Sequence, residues 1–293
     1  MRLARLGEIG SERPAVLIDN KNAVLVDHLI SDWDRKNLEG GGLERVRQAD
    51  LGALPTFPIP KSSTDGEASA GSRLRISSPI ARPTKLICIG LNYAKHADES
   101  GLTPPPEPVV FMKAPDCLIG PNDPIHIPPY STSTDYEVEL AVIIGKRALY
   151  LDSPDQANDY ILGYSISQDV SERDWQLNRS GQWMKGKSFP SFNPIGPVVV
   201  TKDEIDPGNL RIHCSVDGEV RQDSRTNDLI FGVNHIVWYL SQFMELHPGD
   251  VINTGTPQGV GMGFKPTKYL KGGELVSSSI EGIGEIRSRV VRV

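Results

Sequence analysis

The sequence predicts a β-rich α+β fold, and three observations carry that prediction. Short apolar runs, broken by many of the chain's 28 glycines and 23 prolines, recur from Leu74 onward. Runs of that length bounded by turn residues are strand patterns. One stretch alone keeps an apolar face at helical spacing: Leu229, Ile230, Val233, Ile236, Val237, Leu240, Phe243 and Met244. Finally, residues 61–72 are polar, small and apolar-poor, which predicts a surface linker. The expected division is a small N-terminal domain with its linker over 1–72, and a larger domain over 73–293.

In chain order, residues 2–6, 16–18 and 24–26 read as strands, with Asp19-Asn20-Lys21-Asn22 as turn chemistry between the last two. Polar, helix-compatible pieces follow as far as Leu54. Beyond the linker, strands are expected at 85–89, 109–112, 140–144, 160–167, 197–201, 212–216, 251–253 and 286–293. The single long helix can be capped by Asn227 or Asp228 and is stopped by Pro248-Gly249. His235 and Trp238 within it read as packing residues.

Composition excludes several classes. A net charge of −6 argues against nucleic acid or an acidic membrane as partner. No run approaches the roughly 20 apolar residues of a membrane span. Met1-Arg2-Leu3-Ala4-Arg5 opens no signal-peptide core, and Cys88, Cys117 and Cys214 form no C-x-x-C. The expectation is a cytoplasmic protein whose cysteines are small buried hydrophobes.

Chemistry-bearing residues gather in the larger domain. Glu137 and Glu139 lie two apart at the mouth of the apolar run 140–144. On a strand they share a face, roughly 6.5–7 Å apart at Cα. Burying adjacent carboxylates is costly, and a hard dication such as Mg²⁺ or Ca²⁺ relieves the cost; a solvated strand end is the alternative. Asp169 follows the run 160–167 and can add a third carboxylate, with Arg173 and Gln176 one turn further on. His96 and Glu99 are neighbours if their segment is helical, a pairing that suits a general base. Residues 181–188 match G-x-x-x-x-G-K-[ST], but Pro190 and Pro194 follow where a phosphate loop needs a helix. The nucleotide reading is rejected, and Lys187 is kept as a cation able to stabilise an enolate. In Thr254-Gly255-Thr256-Pro257-Gln258-Gly259 the glycines let backbone N–H groups approach an anion.

Taken together and in this order, the segments 89–93 to Glu99, Tyr136-Glu137-Val138-Glu139, Gln168-Asp169, Lys185-Gly186-Lys187-Ser188 and 254–261 resemble the fumarylacetoacetate hydrolase family. The resemblance runs from about residue 83 to the C-terminus. It implies a catalytic domain of mixed β-sheets folded as a roll, in a homodimer. It also implies Mg²⁺ or Mn²⁺, with Ca²⁺ also allowed, on Glu137, Glu139 and Asp169. His96 and Glu99 match the water-activating pair and Lys187 the active-site lysine. Arg173 and Gln176 match substrate contacts, and Thr256, with Gly255 beside it, matches the loop receiving the substrate carboxylate. A further metal-binding aspartate of the eponymous enzyme has no clear counterpart; Asp116 and Asp123 are candidates by position only.

The implied reaction is hydrolysis of a small-molecule 2,4-diketo acid, an acylpyruvate or a 2,4-diketo-3-deoxy sugar acid, to pyruvate and a carboxylic acid. Oxaloacetate decarboxylation, isomerisation and a ureidoglycolate lyase-like activity remain alternatives, because an enolate is common to the family's reactions. Loss of catalysis and nucleotide binding are the competing classes.

Overall fold

A continuous apolar strand with no polar alternation belongs in the middle of a sheet covered on both faces, and the run 140–144 is of that kind. The computed structural model describes residues 1–59, 75–95 and 104–293. The predicted linker and the His96/Glu99 pair lie outside the described residues.

The chain opens with β1 (Arg2–Leu6), β2 (Arg13–Leu17) and β3 (Asn22–Leu25), then α1 (Arg35–Glu39), α2 (Gly42–Gln48) and β4 (Thr56–Pro58). The turn before β3 forms as its residues predict, with Asp19 Oδ1 accepting from the N–H groups of Lys21 and Asn22 at 2.6 and 2.7 Å. Next come β5 (Leu86–Gly90), β6 (Val109–Lys113), β7 (Leu118–Ile119), β8 (Ile125–Ile127), β9 (Thr134–Asp135) and β10 (Val138–Ile144). They are followed by β11 (Ile161–Gln168), β12 (Ser171–Glu172), the single turn α3 (Met184–Lys187) and β13 (Asn193–Thr201). The remainder is β14 (Arg211–Val216), β15 (Glu219–Arg225), α4 (Val233–Ser241), β16 (Val251–Asn253), β17 (Leu275–Ile280) and β18 (Gly284–Arg292).

Among the described residues the larger sheet runs β4-β3-β2-β1-β13-β11-β10-β16-β5-β6, with β7 paired to β13. It is mixed, since β16 runs parallel to β5 while β10 and β11 are antiparallel. Every residue of β10 and β11 is buried. A second sheet, β15-β14-β17-β18-β8, lies against it, and β17 alternates buried and half-buried positions as a one-sided strand should. The N-terminal strands join the main sheet directly: Arg2 and Leu3 of β1 pair with Val200 and Val199 of β13.

The long helix is shorter than its apolar pattern. Thr226–Asp228 forms a 3₁₀ turn, and α4 starts only after Gly232, with no side-chain cap from Asn227 or Asp228. The cause is tertiary. Asn92 takes the N–H of Ile230 on its carbonyl at 2.8 Å and that of Phe231 on Oδ1 at 2.8 Å. Leu229 also forms an isolated antiparallel bridge with Tyr93, so Leu229 and Ile230 lie half-buried outside the helix. Phe243, beyond its end, is 53% exposed and belongs to no core. His235 does pack, its ring 5.3 Å from those of both Phe231 and Trp238. All three cysteines are buried and free. No described helix is long and apolar enough to cross a membrane.

Candidate metal centre and active site

The β10–β11 pairing assembles the site. Val138 stands opposite Gln168, so one step outward Glu137 stands opposite Asp169, whose N–H donates to the Glu137 carbonyl at 2.9 Å. Cross-strand neighbours of this kind have close Cβ atoms. The third carboxylate thus arrives through antiparallel register, 32 residues from the first. Glu137 precedes the strand and Glu139 lies in it, and both are buried. Glu137, Glu139 and Asp169 each offer an oxygen, and these lie within 4.8 Å of one another.

The buried cations explain how this cluster is tolerated. Lys187 Nζ bridges Glu137 Oε2 and Asp169 Oδ2, both at 2.6 Å. Burial pulls its ammonium down, but the Asp169 and Glu137 carboxylates outweigh burial and hold it above the ordinary lysine range. Arg173 is likewise pulled down by burial and raised on balance by Glu137 and Asp135. It donates to Glu137 Oε1 at 2.6 Å, to Asp135 Oδ2 at 2.9 Å and to Gln176 Oε1 at 2.9 Å. Glu139 is pushed well above the usual carboxylate range by burial first and by the Asp169 and Glu137 charges second. A group raised in this way is one whose charge a dication at the cluster would restore.

A cavity of about 350 Å³ opens onto these groups. Glu137, Glu139, Asp169, Arg173, Gln176, Lys187 and Thr256 all line it, so these seven dispersed candidates of the sequence do meet. Its apolar wall includes Leu91, Phe111, Trp183 and Met262, with the Phe111 and Trp183 rings edge to face at 5.3 Å.

Several expectations are altered in detail. The N–H of Gly255 donates to Glu139 Oε2 at 2.6 Å, so this donor orients a carboxylate of the cluster rather than an incoming anion. The left-handed φ of +102° that turns it inward favours glycine. Thr256 commits its hydroxyl proton to the Val138 carbonyl at 2.9 Å. Arg173 and Gln176 hold each other and the acids, as well as lining the cavity. Asp116 is exposed, and Asp123 is engaged by Arg75 and by the Gly120 N–H; neither joins the cluster.

Two residues went unassigned in the sequence. Lys113, 1% exposed, donates to Asp169 Oδ1 at 2.5 Å. Its one signal was a lysine closing the apolar run 109–112, a rare site for an unpaired charge. Asp135, fully buried, accepts from Arg173 and from the N–H groups of Gly261 and Met262, at 2.6 and 3.0 Å for the last two. It ties the glycine-rich loop to the arginine.

Comparison with known proteins agrees with this geometry. The family described as fumarylacetoacetate (FAA) hydrolase, C-terminal, matches residues 85–291. A mitochondrial oxaloacetate tautomerase from Bos taurus is 46% identical over 251 residues, covering 85% of this chain and 76% of that protein. The solved fumarylacetoacetate hydrolase of psychrophilic Exiguobacterium antarcticum superposes with a TM-score of 0.86 at 34% identity, over the whole of both chains. The maleylpyruvate hydrolase of Sphingobium sp. SYK-6, solved with manganese(II) and pyruvate, gives 0.78 at 26% identity, over 100% of this chain and 99% of that one. With the mixed sheets, the site and the matched residues in agreement, the chain belongs to the fumarylacetoacetate hydrolase family.

Proposed function

We propose that the protein is a Mg²⁺- or Mn²⁺-dependent hydrolase that cleaves the C3–C4 bond of a 2,4-dioxo acid, giving pyruvate and a carboxylic acid. The observation that carries this reading is the buried trio Glu137, Glu139 and Asp169, bridged in part by Lys187 and facing a cavity of about 350 Å³. Charge balance supports it. Asp135, Glu137, Glu139 and Asp169 oppose Lys113, Arg173 and Lys187, one negative charge in excess when all are ionised. A dication reverses that excess, and the carboxylate of one 2-oxo acid cancels what remains. The manganese and pyruvate in the Sphingobium hydrolase support the same pairing of ligands.

Glu137, Glu139 and Asp169 would hold the metal, which when bound supplies Lewis-acid polarisation of the 2-oxo group. Lys187 fixes a positive charge beside the position where the enolate oxygen develops its own. Phe111 and Trp183 line the cavity and would face the C4 substituent. In this reading His96, oriented by Glu99, takes a proton from water, and the resulting hydroxide adds to C4. The C3–C4 electron pair then leaves as the pyruvate enolate, whose C3 takes the proton back from His96. A homodimer is proposed with it, as the family resemblance implies; light scattering would read the mass directly.

A second reading has its own support: 46% identity to an oxaloacetate tautomerase favours proton transfer between C3 and the 2-oxo oxygen, with no bond cleaved. Product analysis by NMR, on chelator-stripped protein with Mg²⁺ restored, separates the two. Acylpyruvates should yield pyruvate and an acid, and Glu137→Gln and Asp169→Asn should abolish that turnover while staying folded. Unchanged activity in both variants refutes the site. Exchange between enol and keto oxaloacetate, with every 2,4-dioxo acid left intact, establishes the second reading instead, and CO₂ release from oxaloacetate would mark decarboxylation.

A further inference from the structure

Each carboxylate of the cluster is tied at one oxygen by a protein donor. Lys113 holds Asp169 Oδ1 at 2.5 Å, Arg173 holds Glu137 Oε1 at 2.6 Å, and the Gly255 N–H holds Glu139 Oε2 at 2.6 Å. Lys187 meets Asp169 and Glu137 at their other oxygens. Each acid therefore has one oxygen anchored in the protein.

Lys113 is the least expected of the three anchors. It is not on the cavity wall among the described residues, so it sits behind Asp169 rather than beside a substrate. Its ammonium is 1% exposed and has three acceptors: Asp169 Oδ1, the Phe192 carbonyl at 2.6 Å and the Val170 carbonyl at 3.4 Å. An ammonium offers three N–H groups, so this one is fully engaged and fixed in place. Asp169 cannot turn Oδ1 toward the cavity without leaving that buried charge uncompensated, a change that proteins tolerate poorly.

We propose that Lys113 is a positioning residue that restricts Asp169 to ligation through Oδ2, and that the three anchored carboxylates together make the centre select Mg²⁺ or Mn²⁺ over Ca²⁺. The proposal rests on the metal-dependent reading above. The physical reason is denticity. Ca²⁺ takes six to eight oxygens and readily completes its shell with both oxygens of one carboxylate, whereas Mg²⁺ is satisfied by six ligands at shorter distance. Carboxylates held at one oxygen by a fixed donor, with Lys187 at the other oxygen of Glu137 and Asp169, offer no free oxygen pair for the bidentate contact that favours the larger ion. Mg²⁺ and Ca²⁺ are the informative pair, because both are hard dications of equal charge.

The test is calorimetric titration of chelator-stripped protein with each ion, without substrate. Wild-type protein should bind Mg²⁺ more tightly than Ca²⁺. Lys113→Met, which frees Asp169 Oδ1, should move the ratio of dissociation constants toward Ca²⁺ by about tenfold or more, the scale on which residues behind metal ligands act. Lys113→Gln keeps an N–H donor and should shift the ratio less. Equal losses for both ions, at unchanged ratio, would assign Lys113 a purely structural role and overturn the proposal. A wild-type preference for Ca²⁺ overturns it whether or not either variant folds. Binding of neither ion removes the metal-dependent function as well, whereas binding without selectivity removes this proposal alone.

Discussion

Lys187 is the residue on which the site's electrostatics turn. Its ammonium lies between two acids, and all three groups are buried. Removing one partner from a buried ion cluster costs about 3–5 kcal/mol, because the charges left behind have neither water nor a counterion. Lys187→Met should therefore melt well below wild type when stripped of metal. Added Mg²⁺ should recover more of its melting temperature than it adds to wild type, since the dication replaces the missing charge, while turnover stays lost. Equal Mg²⁺ responses in the two proteins would contradict that account. Glu137, Glu139 and Asp169 were legible in the sequence, since carboxylates at strand ends in an apolar setting need a reason. Lys113 was not. A lone lysine at the end of a strand shows its partner only once the strand has neighbours.

At the scale of the element, α3 explains the sequence that imitates a phosphate loop. A Cβ on Gly186 would lie 2.4 Å from the Glu172 carbonyl and 2.5 Å from the Gln176 nitrogen. The glycine allows the turn carrying Lys187 to press against the segment carrying Arg173 and Gln176, so Gly186 serves packing while Lys187 serves the acid cluster. Gly186→Ala must displace backbone, a change that costs about 1–3 kcal/mol. It should lower kcat strongly with the circular dichroism spectrum retained, since Lys187 moves relative to the acids. Wild-type kcat in the alanine variant would show the close approach to be incidental. The same scale accounts for the misplaced start of α4. Its apolar period is genuine over 233–241, but Asn92 supplies partners to the two N–H groups ahead of it, and no local pattern encodes a side chain 139 positions away.

For the whole molecule, the N-terminal segment shares its sheet with the strands that carry the site. β1 pairs with β13, and Leu3 is fully buried there. Truncating a buried leucine costs about 2–5 kcal/mol. Leu3→Ala should lower the denaturant midpoint of one cooperative transition, read alike by near-ultraviolet dichroism and by loss of turnover. Two transitions, with turnover surviving the first, would show the segment unfolding independently. The more apolar strands were readable, from those flanking the turn at Asp19 to the runs at 140–144 and 251–253, because local propensity and apolar pattern are properties of neighbouring residues; the more polar β15 and β17 were not named. The family was readable too, since two glutamates two apart, an aspartate after a strand and a Gly-Lys pair are short-range signals that together resemble it. Only the tertiary structure decided which strands pair, and register is what sets Asp169 opposite Glu137, Lys113 behind Asp169 and the Gly255 N–H against Glu139. Those contacts join segments dozens to more than a hundred positions apart. They are fixed by packing of the whole sheet, which no window of sequence contains.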